Sequence, residues 1–148
     1  MTLTSFLSAL NTLEKTIAIT APTALTVLRT YWGAPADALP DLPCIVNAMS
    51  ETDRVLGFGG REQRINVNVQ LFAARAEVED TQSALIATAF WFAAKDVFDK
   101  DTSIGGTVTW STLRGLDPTV PVILTHAGQA YIGFSGVLEI QDVANFTY

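Results

Sequence analysis

The chain has 148 residues, of which 49% are hydrophobic and only 16% charged. That is long enough to bury a core without disulfides or metals, and too apolar to be a disordered chain. Nine basic residues against fifteen acidic ones leave a net charge of −6, which excludes a protein that grips nucleic acid through clustered Lys and Arg. Soluble domains typically carry about 25% charged residues. This chain is therefore short of charge to cover its surface, and apolar patches left outside usually mark contacts with other chains. Cys44 is the single cysteine, so no internal disulfide can form. No Lys or Arg precedes Lys15, so a secretory signal is not expected. The longest apolar run, Ala84 to Ala94, is broken by Thr88 and is too short to span a membrane. The expectation is one domain over residues 1–148, made in cytoplasm.

Residues 2–17 read as an amphipathic helix. Leu3, Phe6, Leu7, Leu10, Leu13 and Ile17 fall on one stripe, with Ser5, Ser8, Thr12 and Lys15 opposite. Ala24 to Tyr31 is rich in β-branched and aromatic residues and reads as a strand. Gly33 to Pro43 is a proline-containing loop, and Cys44 to Met49 a short buried strand. Ser50 to Glu62 mixes charges with Gly57-Phe58-Gly59-Gly60 and reads as a long flexible loop, the tip of a hairpin. A clear strand follows: Ile65, Val67, Val69 and Leu71 alternate with Arg64, Asn66, Asn68 and Gln70. One face is apolar and the other polar.

Glu79-Asp80-Thr81 supplies a cap and negative charge to a second helix running to about Asp99. On a helical wheel Leu85, Ile86, Ala89, Phe92, Ala93 and Val97 share one arc. Ala87, Trp91, Ala94 and Phe98 form a second, separate arc. A helix apolar nearly all round must be covered on more than one side. Either it is wrapped by its own domain, or Trp91, Phe98, Ala87 and Ala94 face a neighbouring subunit. Beyond it, Gly106 to Trp110 reads as a short strand, Leu116-Asp117-Pro118 as a turn and Val120 to Thr125 as an apolar strand. A long last strand runs from Ala130 to about Val143. The order predicts an α+β fold: a mainly antiparallel sheet with an N-terminal helix and a central helix packed on it.

No catalytic, cofactor-binding or metal-ligating set emerges. His126 sits at a turn without a second His or Cys at ligand spacing, and reads as solvated or capping. Cys44 reads as an inert core thiol. Gly133-Phe134-Ser135-Gly136 comes near a nucleophile elbow, but Val137 stands where glycine is needed and no helix follows. Gly57-Phe58-Gly59-Gly60 lacks the strand, helix and last glycine of a dinucleotide fingerprint. Asp96, Asp99 and Asp101 surround the end of the second helix. A solvated helix end is the plain reading there, and a divalent-cation site the alternative.

The layout, taken whole, resembles a known family. An N-terminal amphipathic helix (Leu3 to Ile17) precedes a proline-containing loop and the strand Leu42-Pro43-Cys44-Ile45-Val46. A Gly-containing charged loop leads to the alternating strand from Arg64 to Phe72. A central helix follows, and the chain closes with the strand Tyr131 to Ile140. This is similar to the tail terminators of long-tailed bacteriophages, the family of the minor tail protein U of lambda-like phages. The resemblance rests on layout, because that family offers no invariant catalytic motif to match.

The resemblance implies a structural virion protein of the tail or neck, not an enzyme. It would form a hexameric ring on the tail tube, stop tube growth and present the surface that joins the head. The implied partners are further copies of the chain, the tail tube protein and a head–neck connector protein, with DNA passing through without sequence-specific binding and no membrane involved. Apart from the resemblance, the Ser50 to Glu62 loop reads either as a mobile surface loop or as an arm that docks on the tail tube or the adjacent subunit, with Phe58 as its apolar anchor and Arg54 and Arg61 pairing with acidic groups of the partner. Arg64, Asn66, Asn68 and Gln70 would form a polar sheet face. Ring contacts through a sheet edge would use Ala24 to Tyr31 or the last strand. Two rival readings are another neck or head-completion virion protein, and a small-molecule-binding α+β domain with a pocket between sheet and helix.

Overall fold

The computed structural model describes residues 3–57, 60–76, 81–115 and 122–142. The first helix, α1 (Leu3–Glu14), buries Phe6, Leu10 and Glu14 along its apolar stripe. It ends three residues before the expected boundary. The Thr16 amide donates to the Leu13 carbonyl and the Ile17 amide to the Glu14 carbonyl, each at 3.1 Å, and this tight turn delivers Ile17 to the core. The strand expected from Ala24 to Tyr31 is two strands. β1 (Ala18–Ile19) pairs with β2 (Leu25–Thr26) in a small antiparallel sheet of its own. The Val27 amide still donates to Ile17, but the Leu28 amide donates to Pro43. The chain thus changes partners, and β3 (Arg29–Trp32) runs parallel to β4 (Cys44–Gly57).

Ser50 to Glu62 does form the end of the expected hairpin, but as paired strand and not as a long flexible loop. β4 pairs antiparallel with β5 (Gly60–Arg75) all the way to Gly57 opposite Gly60, with one register shift between Met49 and Glu51. Gly57 and Gly60 stand opposite each other at the end of the paired arms and not along them.

After α2 (Thr81–Lys100) come β6 (Trp110–Gly115), β7 (Val122–His126) and β8 (Gln129–Asp142). β6 starts later than expected because Ile104, Gly105 and Gly106 all have positive φ, which turns the chain before it can extend. β7 and β8 form a tight hairpin over Ala127 (φ 50) and Gly128 (φ 74).

The main sheet has the order β3-β4-β5-β8-β6, with β7 sharing the outer side of β8 with β6. Only β3 and β4 are parallel among these pairs. The chain therefore has mixed α and β content, with two helices and a mostly antiparallel sheet among the described residues. β8 is interior to the sheet, so the last strand cannot serve as an edge. Both helices cover one sheet face, where Phe6, Leu10, Phe90 and Phe98 meet Ile65, Val67, Leu71 and Phe134. A smaller cluster of Leu39, Cys44, Val46, Phe72, Leu124 and Tyr131 forms on the other face.

Two glycines of β8 are fixed by close approach. A Cβ on Gly133 would stand 1.8 Å from the Leu71 carbonyl oxygen, and one on Gly136 would meet the Arg114 carbonyl at 2.9 Å and the Trp91 ring at 3.3 Å. Gly133-Phe134-Ser135-Gly136 is thus a packing motif. Gly133→Ala must push β8 from β5 beside the register shift between Phe72 and Ala74. The expected loss of stability is about 1–3 kcal/mol, read as a lower melting temperature. Melting identical to the wild type would show that the strands are not this close.

Candidate functional site

The polar face of the sheet is where the alternation placed it. Arg64 is exposed, while Asn66, Asn68 and Gln70 are half-buried. On β8 they stand opposite Gln141, Glu139, Val137 and Ser135 in turn. Arg114 on β6 lies 3.4 Å from Glu139. Neither helix covers this face. It offers amide donors and acceptors to a partner or to water, with little charge. Arg54 and Arg61 occupy hairpin positions opposite Gln63 and Leu56. Phe58 lies outside the described residues, as does the Glu79-Asp80 cap.

The candidate subunit-contact residues of α2 are core residues instead. Ala87, Ala94 and Phe98 are wholly buried within the chain's own apolar cluster, and Trp91 packs edge-on against Phe134 with ring centres 5.2 Å apart. The two small alanines let the helix approach the sheet, and Phe90 and Phe98 fill the space beside them. On the other arc Ile86, Ala89, Ala93 and Val97 are half-buried against the same core, and only Leu85, 59% exposed, and Phe92, 67%, are left outside.

A third feature has no counterpart in the sequence reading. Glu14 is fully buried at the end of α1, and its Oε1 accepts a hydrogen bond of 2.7 Å from Asn47 Nδ2 on β4. The same amide lies 3.4 Å from the Tyr31 carbonyl. Glu14 Oε2 and Asn47 Oδ1 are buried without partners. Burial pushes the Glu14 carboxyl up to about 8, and the Asn47 hydrogen bond offsets only part of this. Both groups border a cavity of about 160 Å³ between α1 and β3, whose wall includes Leu7, Leu10 and Trp32. Thr30 and Asn11 are hydrogen-bonded to each other beside it. The signal was legible: Glu14 follows Leu10 by four residues and Leu7 by seven, so it stands on the apolar stripe.

The remaining candidates are occupied elsewhere. His126 Nε2 lies 2.8 Å from the Asp37 carbonyl, and its ring meets Phe72 edge-on. Burial pushes the Cys44 thiol up to about 12, with Asp41 adding to the effect, so it stays protonated. Asp96 pairs with Lys100 at 2.8 Å and Asp99 with Lys95 at 3.1 Å. Asp101 accepts hydrogen bonds from the Gly105 amide and the Ser103 hydroxyl, and the Gly105 contact leads in holding its carboxyl below the usual range. Among the described residues no group of three or more His, Cys, Asp or Glu could hold a metal ion, and no helix is long and apolar enough to cross a membrane. Compared with known proteins, the chain matches no family model and no curated protein.

Proposed function

We propose that the chain is a structural virion protein of the tail-terminator kind, which assembles into a hexameric ring that caps a phage tail tube and presents a head-joining surface. One observation carries the assembly. β3 pairs with β4 only as far as Asn47, so from Ala48 to Gly57 no described strand lies on the outer side of β4. An unpaired edge of this length is a template for another chain, and monomers blunt such edges. The exposed Leu85 and Phe92, in a chain short of charge, fit burial against a second copy. The net charge of −6 suits a channel that DNA crosses without adhering. The choice of a terminator among ring-forming virion parts rests on the sequence layout. The tail tube and a head–neck connector are its proposed partners, and no chemical step is required of it.

Light scattering tests the ring. A mass near six times the 15.9 kDa chain, alone or on tail tubes, is expected. A chain that stays monomeric at high concentration and on tubes sinks the reading. Phe92→Ser is expected to weaken assembly while changing monomer stability by no more than about 0.5 kcal/mol, as for an exposed site. Equal assembly by the variant would place the contact elsewhere. The cavity beside Glu14 favours the second reading, a small-molecule-binding domain, and a persistent monomer that binds a ligand there would establish it.

A further inference from the structure

Glu14 and Asn47 hold each other in place through one hydrogen bond, and each keeps one oxygen without a partner: Oε2 of the carboxyl and Oδ1 of the amide. Buried polar atoms are normally satisfied. Both residues line one cavity, and once the carboxyl gives up its proton both oxygens are acceptors, which a donor with more than one N–H can serve together. We propose that this cavity is a binding site for a guanidinium group, with Glu14 and Asn47 as its acceptors and Trp32 at its rim.

Size, shape and charge all favour that group. The cavity holds about 160 Å³. A protein cavity of about 150 Å³ can admit benzene, and guanidinium has fewer heavy atoms. Its planar fork of N–H donors can reach two acceptors at once, and it is more weakly hydrated than an ammonium, so it loses less on entering. Leu7 and Leu10 offer an apolar wall to the attached methylenes. Trp32 is 41% exposed, which puts an indole where it can stack on the cation.

Among the described residues no charged neighbour already serves the carboxyl. Lys15 is exposed, and Arg29 is exposed beside Asp41 at 3.6 Å. The Tyr31 ring packs with the cluster on the other sheet face. Glu14 is therefore protonated at neutral pH, with its carboxyl pushed up to about 8. A guanidinium favours the carboxylate, so the acid's proton leaves to solvent as the cation enters.

The cation has two possible sources. One is an arginine of a second copy, which rests on the assembly proposed above. The other is a free guanidino compound, which does not. Calorimetry with methylguanidinium, on chain diluted until light scattering reads monomer, tests the site without needing the ring. Saturable binding is expected, with release of close to one proton near pH 6, and about tenfold weaker binding for each pH unit below 8. Glu14→Gln should bind at least about tenfold more weakly and release no proton. Trp32→Ala should bind more weakly yet still release the proton. Absence of saturation, equal binding by Glu14→Gln, or binding without proton release would each overturn the proposal. On concentrated, assembled chain, a fall in mass with methylguanidinium assigns the cation to an arginine of a second copy. Saturable binding at unchanged mass assigns it to a free compound, and both results uphold the site.

Discussion

Trimming Phe98 to alanine lowers the unfolding free energy by about 3–5 kcal/mol, the usual loss for a core phenylalanine, and it does so in the monomer. Phe98 is wholly buried among Phe6, Phe90 and Ile104 of the main core cluster, so the deletion leaves a cavity between helix and sheet. Trp91→Ala follows the same direction. Its ring lies over Gly136 and against Phe134, and no small group remains to close that slot. Both variants reduce assembly only as far as they unfold the chain. The discriminating measurement is urea unfolding at a concentration where the wild type is monomeric. A Phe98→Ala monomer as stable as the wild type, with assembly lost, would return this face of α2 to the subunit contact that the wheel suggested.

The reversal on α2 shows where sequence legibility ends. Periodicity reports that two arcs are apolar, but it is silent on which arc meets the sheet. That choice depends on closeness of approach, and here Ala87 and Ala94 decide it by being small. By contrast, the polar face of β5 was readable residue by residue, because a two-residue period leaves Asn66, Asn68 and Gln70 no other side. The hairpin was legible, but the pairing of its outer arms was not. Glu51, Asp53, Arg54, Arg61 and Glu62 carry no alternation, and their strand character comes from pairing across the hairpin. The strand over Ala24 to Tyr31 was legible as extended chain, but its change of partner at Val27 is a tertiary event.

Glu14 is hard to read in the sequence for a different reason. A carboxylate on an apolar stripe looks like an exception to the pattern, when burial makes it the most perturbed acid described. Its consequence is a stability that falls as pH rises. In the unfolded chain the carboxyl titrates near the ordinary 4.5, and in the fold at about 8. Between those values the folded state holds one more proton than the unfolded state. Stability is therefore full below about 4.5 and declines through neutral pH. The slope is on the order of 1 kcal/mol per pH unit, amounting to several kcal/mol before it levels off above about 8. Asp101 works in the opposite sense, but its carboxyl is lowered, so its contribution is lost only in acid below this window. Glu14→Gln keeps the shape and removes the titration. Urea unfolding of both proteins from pH 5 to 9 should give curves that diverge steadily, with the variant the more stable at pH 9. Parallel curves would mean that water reaches Glu14 and that its burial is less complete than the packing of α1 on β4 implies.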